Sequence, residues 1–249
     1  MYRTRSHFTK QSLALAALAT LFALAIGTSG QAATIYLAGD TPTMDQLENN
    51  AGELIIGDKR FHGFTYTPNN DMPAPTGVTV QGIVVGNSVV LQFSGAFHDD
   101  PGGAPSDAGL GFNVEVLDPN RSIKQVTLAG TLMTQGDDAE VHIDELISSL
   151  PPGPPTVMSI ERKVVGGVES PFNQSQDMLD FQSLFGVPGF QSFRVTKDIF
   201  ADAGSATFNS ARVTTFIQEF VQVPEPATMA LAGLSGLAMA AAARRRRRF

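Results

Sequence analysis

Apolar and polar positions alternate along most of the chain between residues 34 and 223. In Leu91-Gln92-Phe93-Ser94-Gly95-Ala96-Phe97, positions 91, 93 and 97 are large and apolar while Gln92 and Ser94 are polar. Leu110, Phe112, Val114 and Val116 alternate with Gly111, Asn113 and Glu115. Val126 and Leu128 alternate with Gln125 and Thr127, and Gly130 and Leu132 continue their face. Phe193, Val195 and Ile199 share one face, with Arg194, Thr196 and Asp198 on the other. A period of two is the signature of a strand that packs on one face and meets water on the other. Ser205 to Val223, rich in β-branched and aromatic residues, reads as a long final strand interrupted or bulged near Ser210.

Turn residues separate these runs at Gly57-Asp58, Gly86-Asn87, Asp99 to Gly103, Asp118-Pro119-Asn120, Gly136-Asp137, Gly166-Gly167 and Ala203-Gly204. Their spacing, roughly 10–20 residues, predicts an all-β fold, an antiparallel β-sandwich of about eight to ten strands. One short helix is predicted over Asp45 to Asn50, with Thr43 as N-cap and Gln46 as its reciprocal partner. Leu146 to Pro155 carries four prolines and reads as a surface loop. There is no internal repeat.

The ends follow other rules. Arg3, Arg5 and Lys10 precede an uncharged Leu/Ala run from Leu13 to Ile26 and a small-residue stretch ending at Ala33. That order predicts a signal peptide over residues 1–33 and an exported chain. Cleavage after Ala32 suits the small-residue rule better than cleavage after Ala33, and an uncleaved anchor is the alternative. At the other end, Pro224-Glu225-Pro226 halts the preceding strand, since proline donates nothing to a ladder. Ala227 to Ala243 is uncharged and, as a helix, about 25 Å long, near the lower limit for a membrane span. Arg244, Arg245, Arg246, Arg247 and Arg248 follow, a cluster that holds its end in the cytoplasm.

Together Pro224-Glu225-Pro226, the apolar helix and the arginine run resemble the PEP-CTERM sorting signal of bacterial exported proteins. The resemblance covers residues 224–249 and implies recognition and cleavage near the Pro-Glu-Pro by a membrane-embedded exosortase. Ala227 to Ala243 would be a transient transmembrane helix and the arginines a cytoplasmic stop. Residues 34–223 form the ectodomain between. Ile56-Gly57-Asp58-Lys59-Arg60-Phe61 with Phe64-Thr65-Tyr66, Phe93-Ser94-Gly95-Ala96-Phe97, and Val195-Thr196-Lys197-Asp198-Ile199 also resemble segments of a common PEP-CTERM ectodomain type, expected to be a β-sandwich.

Charge sharpens the picture of this ectodomain. Of 17 basic residues, three lie in the leader and five end the chain, leaving nine; Glu225 is the one acid of 24 outside it, so 23 remain. A net charge of −14 repels nucleic acid and anionic lipid. The absence of cysteine excludes disulfides, thiolate metal sites and cysteine nucleophiles.

Candidate chemistry is sparse. The best site candidate is the loop His98-Asp99-Asp100-Pro101-Gly102-Gly103, with Asp107 shortly after. Asp99, Asp100 and Asp107 offer oxygen ligands suited to calcium, although Asp-Gly-Pro loops are also the default between strands. Asp137, Asp138 and Glu140 form a second acidic cluster. His142 and Asp144, two apart, share a strand face, and His62 reads as solvent-facing. No nucleophile elbow, phosphate loop or dinucleotide fingerprint is present, and without tryptophan a sugar-stacking platform is disfavoured. The function expected is that of a cell-surface or exopolysaccharide-matrix protein of structural or adhesive type. Its partners would be the secretion machinery, an exosortase, the membrane through the C-terminal helix, and exopolysaccharide. A carbohydrate-active or other hydrolytic enzyme on a β-sandwich, or a ligand-binding module, is the alternative; 23 acids leave many carboxylate pairs open.

Overall fold

The computed structural model describes residues 33–149, 156–165, 168–170 and 174–224. The leader through Ala32, the span from Ala227 and the arginine run lie outside the described residues.

The alternating runs form strands. In chain order these are β1 (Ile35–Leu37), β2 (Glu53–Ile56), β3 (Lys59–Pro68), β4 (Thr79–Val85), β5 (Ser88–Asp99), β6 (Ser106–Val116) and β7 (Arg121–Gln135), followed by β8 (Glu140–Ser149), β9 (Thr156–Val165), β10 (Val168–Glu169), β11 (Gln176–Asp180), β12 (Ser192–Asp202) and β13 (Ser210–Pro224). They make two sheets, β1-β2-β3-β6-β12-β8-β9-β10 and β11-β7-β13-β5-β4. Pairing is antiparallel except between β1 and β2. The predicted sandwich is present. Its strand number exceeds the expectation because β1, β2 and β10, of four residues or fewer, carry too few positions for a period to show.

The inward faces supply a core of phenylalanines. Phe93 and Phe216, from neighbouring strands, stack at 4.9 Å between ring centroids. Phe61 and Phe220, from opposite sheets, meet at 5.3 Å, and Phe112 packs edge-on to both Phe61 and Phe220. All five are fully buried. Each ring removes its area from water, and each favourable ring pair adds about 0.5–1.5 kcal/mol beyond that burial.

Local chemistry sets the other elements. The first helix, α1 (Met44–Asn49), opens with the predicted capping box: Gln46 N donates to Thr43 Oγ1 at 3.3 Å, and Thr43 N donates to Gln46 Oε1 at 2.9 Å. A second helix, α2 (Phe181–Phe185), is capped by Asp180, whose Oδ1 accepts from Ser183 N at 2.9 Å, and closes on left-handed Gly186. Its single turn is too short to display a helical period.

Two readings need correction. Leu146 to Ser149 is not loop but the end of β8, because Leu146 and Ile147 pair with both β12 and β9. The prolines that suggested a loop begin only at Pro151, outside the described residues. The final strand starts at Ser210 rather than Ser205, and its register shifts between Val213 and Thr215 and again between Val221 and Gln222. It ends at Pro224, opposite Arg121, where the first proline of the Pro-Glu-Pro was expected to stop it.

Candidate functional site

The topology sorts the loops to two ends of the sandwich, joined by β13. One end gathers the segments after β3, β5, β7 and β12. Asp99 is buried and tied down: Oδ1 accepts from Ser106 Oγ at 2.7 Å and Oδ2 from Ala203 N at 2.8 Å. Ser106 Oγ in turn accepts from Asp71 N at 3.1 Å, and Asp71 Oδ2 accepts from Asp100 N at 3.1 Å. Asn69 Nδ2 donates to Asp107 Oδ1 at 3.0 Å, and Asn70 Nδ2 to Pro105 O at 2.7 Å. Gly102 N reaches Gly204 O at 3.1 Å. Asn209 receives Asp137 N at 3.1 Å and donates back to the Asp137 carbonyl. Gly136 stands at φ 91° against Asn209, where a Cβ would fall within 1.8 Å of Oδ1. Four loops are thereby cross-tied into one acidic surface.

The structure thus places the two acidic clusters read from sequence at the same end, while giving their members separate work. Asp99 holds the loops together and Asp107 holds Asn69. Asp100 is exposed. Among the described residues no group of three or more His, Asp or Glu side chains could hold a metal ion. Beside Asp99 lies a depression of about 290 Å³ bounded by Phe97, His98, Asp100, Arg212 and Thr214. Phe208, in the adjoining loop, is 86% exposed.

The outer face of the eight-stranded sheet carries the remaining candidates. His142 stacks on Phe200 at 4.7 Å, with Nδ1 3.4 Å from Glu140 Oε1 and Nε2 3.8 Å from Asp144 Oδ2. Asp198 sits opposite Asp144 in the register. Partial burial, and then the charge of Asp107, hold the Asp198 carboxyl above the usual range. His62 is half-buried on β3.

At the other end β13 emerges beside the turns at Gly57-Asp58, Gly86-Asn87 and Asp118 to Arg121. Gln222 N donates to Asn87 O at 3.2 Å and Gln222 Nε2 to Asp58 Oδ2 at 2.5 Å. The buried Lys59 Nζ donates to Gln222 Oε1 at 2.9 Å and to Asp58 Oδ1 at 3.2 Å. Burial pulls the Lys59 ammonium down from its ordinary value, and Asp58 opposes this. Two residues after Gln222 the chain enters Pro224-Glu225-Pro226; Glu225, Pro226 and Arg244 to Arg248 lie outside the described residues.

The family model of the PEP-CTERM protein-sorting motif matches residues 222–248. The chain carries a PEP-CTERM sorting signal. It is an exported protein, directed to the cell envelope as an exosortase substrate, and the signal begins where β13 ends. Among the described residues no helix is long and apolar enough to cross a membrane. No curated protein matches the sequence. Among solved structures, one similar chain is a family 11 carbohydrate-binding module from Clostridium thermocellum. It is 9% identical with a TM-score of 0.26, over 65% of this chain and 88% of that one. Another is the family GH12 endoglucanase 3 of Trichoderma harzianum, 10% identical with a TM-score of 0.25, over 63% and 97%.

Sequence reasoning missed several interior polar residues, Lys59 and Gln222 among them, and three more lie deep in the sandwich. Lys197 lies in step with Phe193, Val195 and Ile199, Glu145 with Val141, Ile143 and Ile147, and Gln218 with Phe216 and Phe220. The alternation itself places all three inside, and following it through the polar positions would have found them.

Proposed function

We propose that the mature chain is a structural, adhesive protein of the cell surface or exopolysaccharide layer, held at the end of β13 and presenting its acidic loops outward. The observation that carries this reading is the course of β13. It runs 15 residues, about 50 Å, from the acidic loop end to the sorting signal with no spacer between. An attachment near Pro224 would fix one end of the sandwich at the envelope and leave the loops of Asp71, Asp100, Asp107 and Asp137 farthest from it. A rigid acidic tip suits contact with hydrated polysaccharide, since its hydrogen-bonding groups are held in place before contact. The hydrolytic alternative needs two facing carboxylates with one raised; Asp198 beside Asp144 is the pair that comes nearest.

The absence of cysteine makes the orientation measurable. Single cysteines at exposed Ala104, in the acidic loops, and at exposed Asn87, beside the strand exit, are to be labelled on intact cells with a bulky, membrane-impermeant maleimide. Ala104→Cys is expected to react several-fold faster than Asn87→Cys, with the difference lost once the protein is solubilised. Equal rates on intact cells, or labelling of either only after lysis, would contradict the proposed display.

A further inference from the structure

Inside the sandwich, well away from both ends, a lysine, a glutamate and a glutamine meet with no water-exposed surface between them. Lys197 on β12 and Glu145 on β8 are direct partners in the strand register and point inward together. Gln218 faces them from β13 in the opposite sheet. Their exposures are 1%, 0% and 0%. Lys197 Nζ is in contact with both Glu145 Oε2 and Gln218 Oε1, and it lies 5.7 Å from the centre of the Phe216 ring. Glu145 Oε1 and Gln218 Nε2 have no hydrogen-bond partner among the described residues. Such an arrangement is expensive as a permanent resting state. An ion pair taken out of water recovers its desolvation only when the remaining polar atoms are satisfied, and here two are not.

We propose that Lys197 and Gln218 become joined by an intramolecular isopeptide bond, with Glu145 carrying the protons. Contact of Nζ with the amide oxygen puts the nitrogen within reach of Cδ, since the carbonyl bond is only about 1.2 Å long. In the dry interior a proton moves from the Lys197 ammonium to the Glu145 carboxylate. Burial favours the neutral form of each, pulling the lysine down and pushing the glutamate up against their mutual attraction. The free amine attacks Cδ of Gln218, and Nζ–Cδ forms. Glu145 gives its proton to Nε2 and takes the one that Nζ sheds; Cδ–Nε2 then breaks and ammonia leaves. The balance closes without a cofactor or oxidant: an ammonium, a carboxylate and a primary amide become a secondary amide, a carboxylic acid and ammonia.

The bond would tie the last strand to the opposite sheet six residues before Pro224, so a pull on the sorted end would stop at a covalent link instead of peeling β13 away. Lys59 and Gln222, also in contact, do not meet the same conditions. Their acid, Asp58, is 27% exposed, and water there keeps the charges in place.

The test is a tryptic digest of the purified full chain read by tandem mass spectrometry. Trypsin does not cut after an acylated lysine. The expected product is therefore Val195 to Arg212 joined to the peptide that begins at Val213, lighter than the two together by one ammonia. Cleavage after Lys59 serves as the internal reference. A free peptide ending at Lys197, found with the unlinked peptide from Val213, overturns the proposal. Glu145→Gln, if folded by circular dichroism, is expected to leave the two peptides separate, and a linked product from that folded variant removes Glu145 from the reaction. Should it not fold, the wild-type digest still decides.

Discussion

Asp99 shows how a residue whose sequence setting suggests one chemistry is placed by the fold to do another. Its sequence setting, in a Gly/Pro loop with Asp100, suggested an oxygen-ligand site, but the structure turns the carboxylate inward to accept from Ser106 Oγ and Ala203 N. Asp99→Ala leaves two buried donors unpaired, and urea denaturation is expected to show a loss of about 3 kcal/mol. Asp100→Ala, at the exposed neighbour, is expected to change stability by less than about 0.5 kcal/mol. Equal effects would mean that the loops are not held through Asp99. Local sequence shows that an aspartate is available at this position. It does not show Ala203, 104 residues away, which only the sandwich brings near. Lys197, Glu145 and Gln218 escaped notice for the opposite reason. Their inward direction is written in the alternation, but a charged residue on an apolar face looks like noise until its partners are placed.

Among elements, those governed by neighbours in sequence were the most legible. The helix at Met44–Asn49 was readable because the Thr43 and Gln46 capping bonds span three residues. The longer strands were readable because one period of two runs through each. β8 was misread where it approaches a proline cluster, since what keeps Leu146 and Ile147 extended is pairing with strands ten and about fifty residues away. The β2–β3 hairpin carries a further consequence. Arg60 Nε donates to Glu53 Oε2 at 2.9 Å, and its Nη2 contacts Oε1. The bond from Arg60 holds the Glu53 carboxyl below its ordinary value. A depressed folded value stabilises above the unfolded one and loses that contribution as pH falls through the folded one. Wild type is therefore expected to exceed Glu53→Gln in denaturation midpoint at neutral pH, with the gap closing as pH falls below the ordinary carboxylate range. A gap independent of pH would show that the pairing contributes through packing alone.

For the molecule as a whole, export, sorting and fold class were legible, and the assembly of the acidic end was not. Signals read by cellular machinery are linear, so Pro224-Glu225-Pro226 and the terminal arginines are visible without a structure. The acidic end is assembled from four loops spread over some 140 residues, and no segment of the sequence announces their meeting. β13 links the two, since it runs from the assembled end to the linear signal, and sorting and processing are expected where that strand stops. The most direct test is the intact mass of the protein recovered from the surface fraction of its native host. A species beginning near Ala33 and ending between Pro224 and Ala227, with or without an attached group, is expected. A species that still carries Arg244 to Arg248 would contradict this and make the chain a simple tail-anchored ectodomain.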